Sequence, residues 1–217
     1  MTKTQLKEIA LYQNNTNINT IGDDWIAQDK AWELEIIAEL GEAIESTEHK
    51  WWKACELDME NLKLEIIDIL HFSLSADIGR YGLEETVNKA YCENIEHKEM
   101  FVQETFRRAA ERFIVATGYV LAMKNAVSLT LEAIELANAI GMSNQETFVR
   151  YKVKNALNAV RLQNGYKDGS YIKEWGKGKE DNEVAFKYIF EYNFQDLSVA
   201  EMTGTLDRYY KGLCNAK

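Results

Sequence analysis

Not one proline occurs in the 217 residues of this chain. Proline presets the φ of tight turns, and β-sandwiches and barrels need Pro/Gly-rich turns about every ten residues. With only 12 glycines and scattered β-branched runs, the chain lacks that punctuation and reads as all-α. Its length allows one large domain or two small ones, and 46% apolar residues suffice for a core. Disorder and fibrous repeats are poor readings.

Apolar residues at three- and four-residue steps predict a succession of helices. The first covers 4–14, followed by a polar loop over 15–24. In the next, Trp32, Ile36, Ile37, Leu40 and Ile44 line one face of a helix running to about Glu48. Further helices are predicted over 57–78, 83–99, 101–123 and 127–140. Gly141 suits a helix C-terminus, and Ser143 with Glu146 forms a capping box that opens a helix to about Leu162. Asn164-Gly165 and Asp168-Gly169 punctuate a loop through Gly178, and helices over 181–192 and 199–210 finish the chain.

The formal charge of −10 opposes the electrostatic attraction behind most nucleic-acid and anionic-membrane binding, so neither partner is expected. No apolar run approaches the length of about 20 residues that a membrane span needs, and the Met1-Thr-Lys-Thr-Gln start lacks a signal-peptide core. A soluble, cytoplasmic protein is expected. Cys55, Cys92 and Cys214 are odd in number and far apart, and fit free buried thiols in a reducing compartment.

Charge is unevenly placed: residues 33–100 hold 17 acidic and 6 basic groups, whereas 150–179 hold 8 basic and 2 acidic. In the acidic half, Glu39 and Glu42 lie three apart, as do Glu65 and Asp68, so each pair projects from one helix face. Two such helices packed together would converge four carboxylates. Like charges in one site raise each other's pKa, so the cluster calls for hard cations, Mg²⁺ or Mn²⁺. Core-type neighbours around both pairs predict partial burial. The same spacing recurs at Glu132/Glu135 and elsewhere, where a solvated helix surface accounts for it. A di-iron bundle would want two Glu-x-x-His pairs, and the chain offers only Asp68-x-x-His71.

In the basic segment, Lys154, Asn158 and Arg161 share a helix face and together suit an anion and a polar ring. The glycine-rich loop behind them offers Tyr166, Lys167 and Lys173 as donors to phosphate oxygens. A helix end followed by an ordinary polar surface loop is the alternative.

The stretch KNALNAVRLQNGYKDGSYIKEWGKGKEDNEV, residues 154–184, closely resembles the C-terminal motif of the dimeric all-α dUTPases, relatives of the MazG-like NTP pyrophosphohydrolases. Glu39-x-x-Glu42 and Glu65-x-x-Asp68 fall where that family places its metal motifs, and Gln13 with Asn17 matches its uracil-contacting pair. The resemblance is strongest after Lys154 and weak over about 82–147. It implies a single all-α domain over 1–217, a compact multi-helix bundle with a four-helix metal-binding core. Metal-binding helices would occupy about 1–80, and the phosphate-binding helix and loop about 143–184.

The resemblance also implies hydrolysis of dUTP to dUMP and diphosphate, keeping uracil out of DNA, activity on dUDP, and a homodimer. Glu39, Glu42, Glu65 and Asp68 would hold Mg²⁺, with Glu39 or Glu42 as general base. Lys154, Arg161, Tyr166 and Lys173 would clamp phosphate oxygens. Gln13, Asn17 and Asn158 would read the uracil edge, Trp25 would wall the nucleoside, and His71 and Phe72 would approach the deoxyribose. Two alternatives stay open: a related pyrophosphohydrolase directed at dCTP or another base, and a non-catalytic helical interaction protein.

Overall fold

The computed structural model describes residues 1–91, 103–123, 127–176 and 178–215. Among them are nine α-helices: α1 (Lys3–Ile21), α2 (Trp32–Glu45), α3 (Met59–Tyr81), α4 (Leu83–Ala90), α5 (Gln103–Met123), α6 (Leu129–Ala139), α7 (Asn144–Gln163), α8 (Asp181–Glu191) and α9 (Val199–Asn215). The fold is all-α. The one extended pairing among the described residues is an isolated antiparallel bridge between Glu174 and Glu180. No described helix is long and apolar enough to cross a membrane. The helices divide into two compact units, residues 1–148 and 149–217.

The first unit is organised around α3. Leu62, Glu65, Ile66, Ile67, Ile69, Leu70, His71, Ser73 and Leu74 are all buried, and a helix buried on all sides must be ringed by others. Helices α1, α2, α4 and α6 pack against it, and α5 packs on α6 and α2. Each of its fully buried leucines and isoleucines contributes roughly 1.5–3 kcal/mol relative to an exposed side chain. Asp58 caps its start by accepting from the Asn61 N–H at 3.0 Å.

Helix α1 departs from the expected boundary. The polar run after Asn14 remains helical to Ile21, so the loop expected over 15–24 begins only at Gly22, whose φ of 128° ends the helix. Low propensity is overridden because Leu6, Ile9, Ala10, Gln13 and Asn17 form one buried stripe. Thr2 and Gln5 close a capping box at its start.

Helix α2 stops at Glu45 rather than Glu48, where the Ser46 and Thr47 hydroxyls turn back onto the carbonyls of Glu42 and Ile44 at 3.0 and 2.7 Å. Its buried positions are Ile36, Leu40 and Ala43; Ile37, expected on that face, is 48% exposed. Beyond α4, the expected continuation to residue 99, its junction with the next helix, and Cys92 all lie outside the described residues. So does the side chain of Cys214, whereas Cys55 is a free thiol, half-buried rather than buried as expected.

Helix α6 ends as expected. Gly141 has φ 83°, and the Met142 N–H reaches back to the Ala137 carbonyl at 3.1 Å, the six-to-one bond of a left-handed cap. Ser143 then caps α7, accepting from the Glu146 N–H at 3.1 Å. The start of α6 has a cap that the sequence does not advertise. Buried Asp77 of α3 accepts from the Ser128 hydroxyl at 2.9 Å and from the Leu129 and Thr130 N–H groups at 3.3 and 2.9 Å. Burial pushes the Asp77 carboxyl above its ordinary range, and these donors at the positive end of a helix partly offset that.

In the second unit, residues 149–163 of α7, helices α8 and α9, and the loop before α8 form a small core rich in aromatic rings. Tyr188 stacks on Tyr209 at 4.3 Å, and Tyr171 stacks on Tyr210 at 5.1 Å. Lys152 is buried with its ammonium donating to the carbonyls of Gln195 and Leu197 at 3.0 and 2.9 Å.

Candidate active site

Packing of α2 on α3 brings carboxylate oxygens of Glu39, Glu42 and Glu65 within 4.8 Å of one another. The three-residue spacing supplies the Glu39–Glu42 pair, and tertiary packing supplies Glu65. Burial is graded: Glu65 is buried, Glu39 and Asp68 are half-buried, and Glu42 is exposed. Glu39 shows the resulting tension. Burial first, then the charge of Asp68, then a hydrogen bond and charge from Glu65 push its carboxyl up from 4.5 to about 8. Such a set of hard oxygen donors fits Mg²⁺ or Mn²⁺.

The amide pair named from the sequence lies in a buried polar cluster between α1 and α3. Gln13 Nε2 donates to Asn17 Oδ1 and to Ser75 Oγ, both at 2.9 Å, and Asn17 Nδ2 donates to the same hydroxyl at 3.0 Å. His71 Nδ1 lies 2.7 Å from Gln13 Oε1, so with that oxygen accepting, the proton sits on Nδ1. Ser75, unnamed by the sequence reasoning, joins the cluster and donates to the His71 carbonyl at 3.1 Å. Its signal was present, since it follows His71 by one helical turn.

Trp25 is 2% exposed, donates from Nε1 to Asn14 Oδ1 at 3.3 Å, and meets Trp32 edge-on at 6.1 Å. Trp32 in turn stacks on Phe72 at 6.2 Å. Trp32, read from the sequence only as a core residue, therefore links the two aromatic residues assigned to the nucleoside. Trp51 and Trp52, 89% and 61% exposed, sit on the segment joining the two carboxylate helices and were not singled out.

In the second unit, Lys154 and Arg161, read from their spacing as an anion-binding pair, are both buried. Arg161 makes two 2.8 Å bonds to Asp181, from Nε to Oδ2 and from Nη2 to Oδ1. Its Nη1 meets Asn158 Oδ1 at 3.2 Å, and the Tyr166 ring lies 5.8 Å from the guanidinium carbon. Lys154 Nζ donates to Asn182 Oδ1 at 3.2 Å. Lys173 is exposed, and its carbonyl accepts from the Asp181 N–H at 2.8 Å.

Tyr166 is placed by Gly165, whose φ is 90° and where a Cβ would stand 1.9 Å from Ser170 Oγ. Only glycine fits there. Asp181 was missed because an aspartate opening a helix reads as an ordinary first-turn acid.

No curated protein matches the chain. The sequence profile of the family described as dUTPase matches residues 5–166. That span, about three quarters of the chain, holds the four carboxylates, Gln13, Asn17, Trp25, His71, Phe72, Lys154, Asn158, Arg161 and Tyr166; Lys173, Asp181 and Asn182 follow it. An all-α fold, paired carboxylates on packed helices and a match of this length agree, and the chain belongs to the all-α dUTPase family of dUTP-hydrolysing enzymes.

Proposed function

We propose that this dUTP diphosphatase is Mg²⁺-dependent, that it converts dUTP to dUMP and diphosphate and dUDP to dUMP and phosphate, and that it works as a homodimer. The observation that carries the metal reading is the convergence of Glu39, Glu42 and Glu65 oxygens within 4.8 Å. Carboxylates so close cannot all stay ionised without a cation. Glu39, Glu42, Glu65 and Asp68 would hold the metal, and Mg²⁺ when bound supplies charge neutralisation to the phosphates and acidity to the attacking water.

Glu39 or Glu42 accepts the proton of that water as general base. Lys154, Arg161, Tyr166 and Lys173 hold phosphate oxygens and stabilise charge on the transferring group. Gln13, Asn17 and Asn158 read the uracil edge. Ser75 and His71 support this role, because their bonds to Gln13 and Asn17 hold each amide in one orientation. Cytosine exchanges donor for acceptor along that edge and would set like groups against amides held in one orientation. Trp25 backs the nucleoside side through Trp32, while His71 and Phe72 approach the deoxyribose.

The test incubates the purified protein with dUTP, dUDP, dCTP, dTTP and UTP, with and without Mg²⁺, and resolves the products. Conversion of dUTP and dUDP to dUMP only in Mg²⁺ is the expected result. Metal-independent turnover overturns the metal assignment, and preference for dCTP overturns the base contacts. Light scattering tests the dimer: a fully active monomer at micromolar concentration refutes it.

A further inference from the structure

Asp181 is fully buried at the first position of α8, yet the roles above leave it unused. Its carboxylate takes four donors at 2.8 Å: Arg161 Nε and the Tyr171 hydroxyl on Oδ2, Arg161 Nη2 and the Asn182 N–H on Oδ1. The Tyr171 oxygen accepts in turn from Trp175 Nε1 at 2.9 Å. Burial penalises the Asp181 charge, but the Arg161 guanidinium and the Tyr171 hydroxyl outweigh it and hold the carboxyl below its ordinary range.

A bidentate pair of this kind fixes the plane of a guanidinium. It uses the Nε–Nη2 side of Arg161 and turns the Nη1–Nη2 end toward two amide oxygens, Asn158 Oδ1 and Asn182 Oδ1, both at 3.2 Å. The Lys154 ammonium meets the same Asn182 oxygen at 3.2 Å. Two cations thus converge on one neutral oxygen through long bonds. A phosphate oxygen forms shorter, charge-assisted bonds of about twice the strength and can displace an amide oxygen.

We propose that Asp181 is a positioning residue of the phosphate clamp, holding Arg161 and Asn182 so that the guanidinium end and the Lys154 ammonium are presented together to phosphate oxygens. The inference rests on the assignment of Lys154 and Arg161 to phosphate made above. Asp181 touches no substrate in this scheme. Its contribution is to orient the clamp before the nucleotide arrives, sparing the ordering cost during reaction.

Charge and positioning make opposite forecasts for Asp181→Asn. If only net charge matters, removing an anion beside Arg161 tightens the grip on a polyanion. If Asp181 orients the guanidinium, the grip weakens. The experiment titrates full-length parent, Asp181→Asn, Tyr171→Phe and Arg161→Ala with inorganic pyrophosphate by calorimetry, measures kcat and KM for dUTP, and checks folding by circular dichroism.

For Asp181→Asn, pyrophosphate Kd is expected to rise about fivefold or more. The loss of kcat/KM should be about tenfold or greater and carried largely by kcat. Tyr171→Phe removes one of the four donors and should shift both readouts the same way by about twofold. Unchanged or tighter pyrophosphate binding in Asp181→Asn overturns the proposal. Should Asp181→Asn fail to fold, Tyr171→Phe decides alone, and an unchanged Kd and kcat in it overturn the proposal equally. Wild-type pyrophosphate affinity and turnover in Arg161→Ala would instead remove the clamp assignment beneath it.

Discussion

Replacing Glu39 by glutamine should stabilise the metal-free protein while abolishing its activity. Glu39 is crowded by Asp68, Glu65 and Glu42 and half-buried, and its carboxyl is held at about 8 against an ordinary 4.5. A raised carboxyl pKa in the fold opposes folding wherever the unfolded chain is already ionised. The penalty is therefore absent below about pH 4.5, grows with pH, and levels off above about pH 8. At pH 7 the gap of about 2.5 pH units corresponds to roughly 3 kcal/mol at about 1.4 kcal/mol per unit. Solvent screening of a half-buried group brings that down to about 1–2 kcal/mol.

For a chain of this size such a gain raises Tm by about 2–8 °C. Calorimetry in chelator at pH 7 should show Glu39→Gln melting above the parent, with the gap closing at pH 4. Added Mg²⁺ should raise the parent Tm, because a ligand of the folded state stabilises it, and raise the variant's far less. A structural carboxylate behaves in the opposite way: its loss lowers Tm. Equal or lower Tm for Glu39→Gln in chelator at pH 7 would refute the repulsion argument and, with it, the reason given for a cation.

Ser75→Ala removes the hydroxyl that accepts from both Gln13 and Asn17; leaving buried amide hydrogens unmet should cost about 1–3 kcal/mol, read from urea midpoints. It should also narrow the preference for dUTP over dCTP. Asp77→Ala strips the hydroxyl and two N–H partners at the start of α6 and should lose about 2–3 kcal/mol, with local hydrogen exchange at Leu129 and Thr130 rising first. Because the Asp181 carboxyl is held below its ordinary range in the fold, its stabilisation is full above the unfolded value of about 4 and is lost as pH falls toward the folded one. Asp181→Asn should consequently flatten the acid side of a stability profile measured between about pH 2 and 6, and an unchanged slope counts against the ion pair.

The helical class, most helix positions and the carboxylate spacing were legible in one dimension. Proline absence and three-to-four periodicity are local properties, and a Glu-x-x-Glu pair is brought to one helix face by 3.6 residues per turn alone. Elsewhere long-range partners overrule local preference. The Asn15–Ile21 segment is helical because its stripe is buried and Asn17 finds Ser75, which is 58 residues away. Ile37 is exposed because α3 takes the face defined by Ile36, Leu40 and Ala43.

By itself the sequence determined that this chain is helical, which residue types could hold a divalent cation and which could hold an anion, and that it resembles the dUTPases. Tertiary structure alone decided that Glu65 joins Glu39 and Glu42, that Asp77 caps a helix 51 residues on, and that Arg161 is gripped by Asp181. Each depends on packing between elements distant along the chain. Helical spacing fixes which side chains share a face, but only the packed faces determine which buried charges meet, and burial is what makes those meetings energetically decisive.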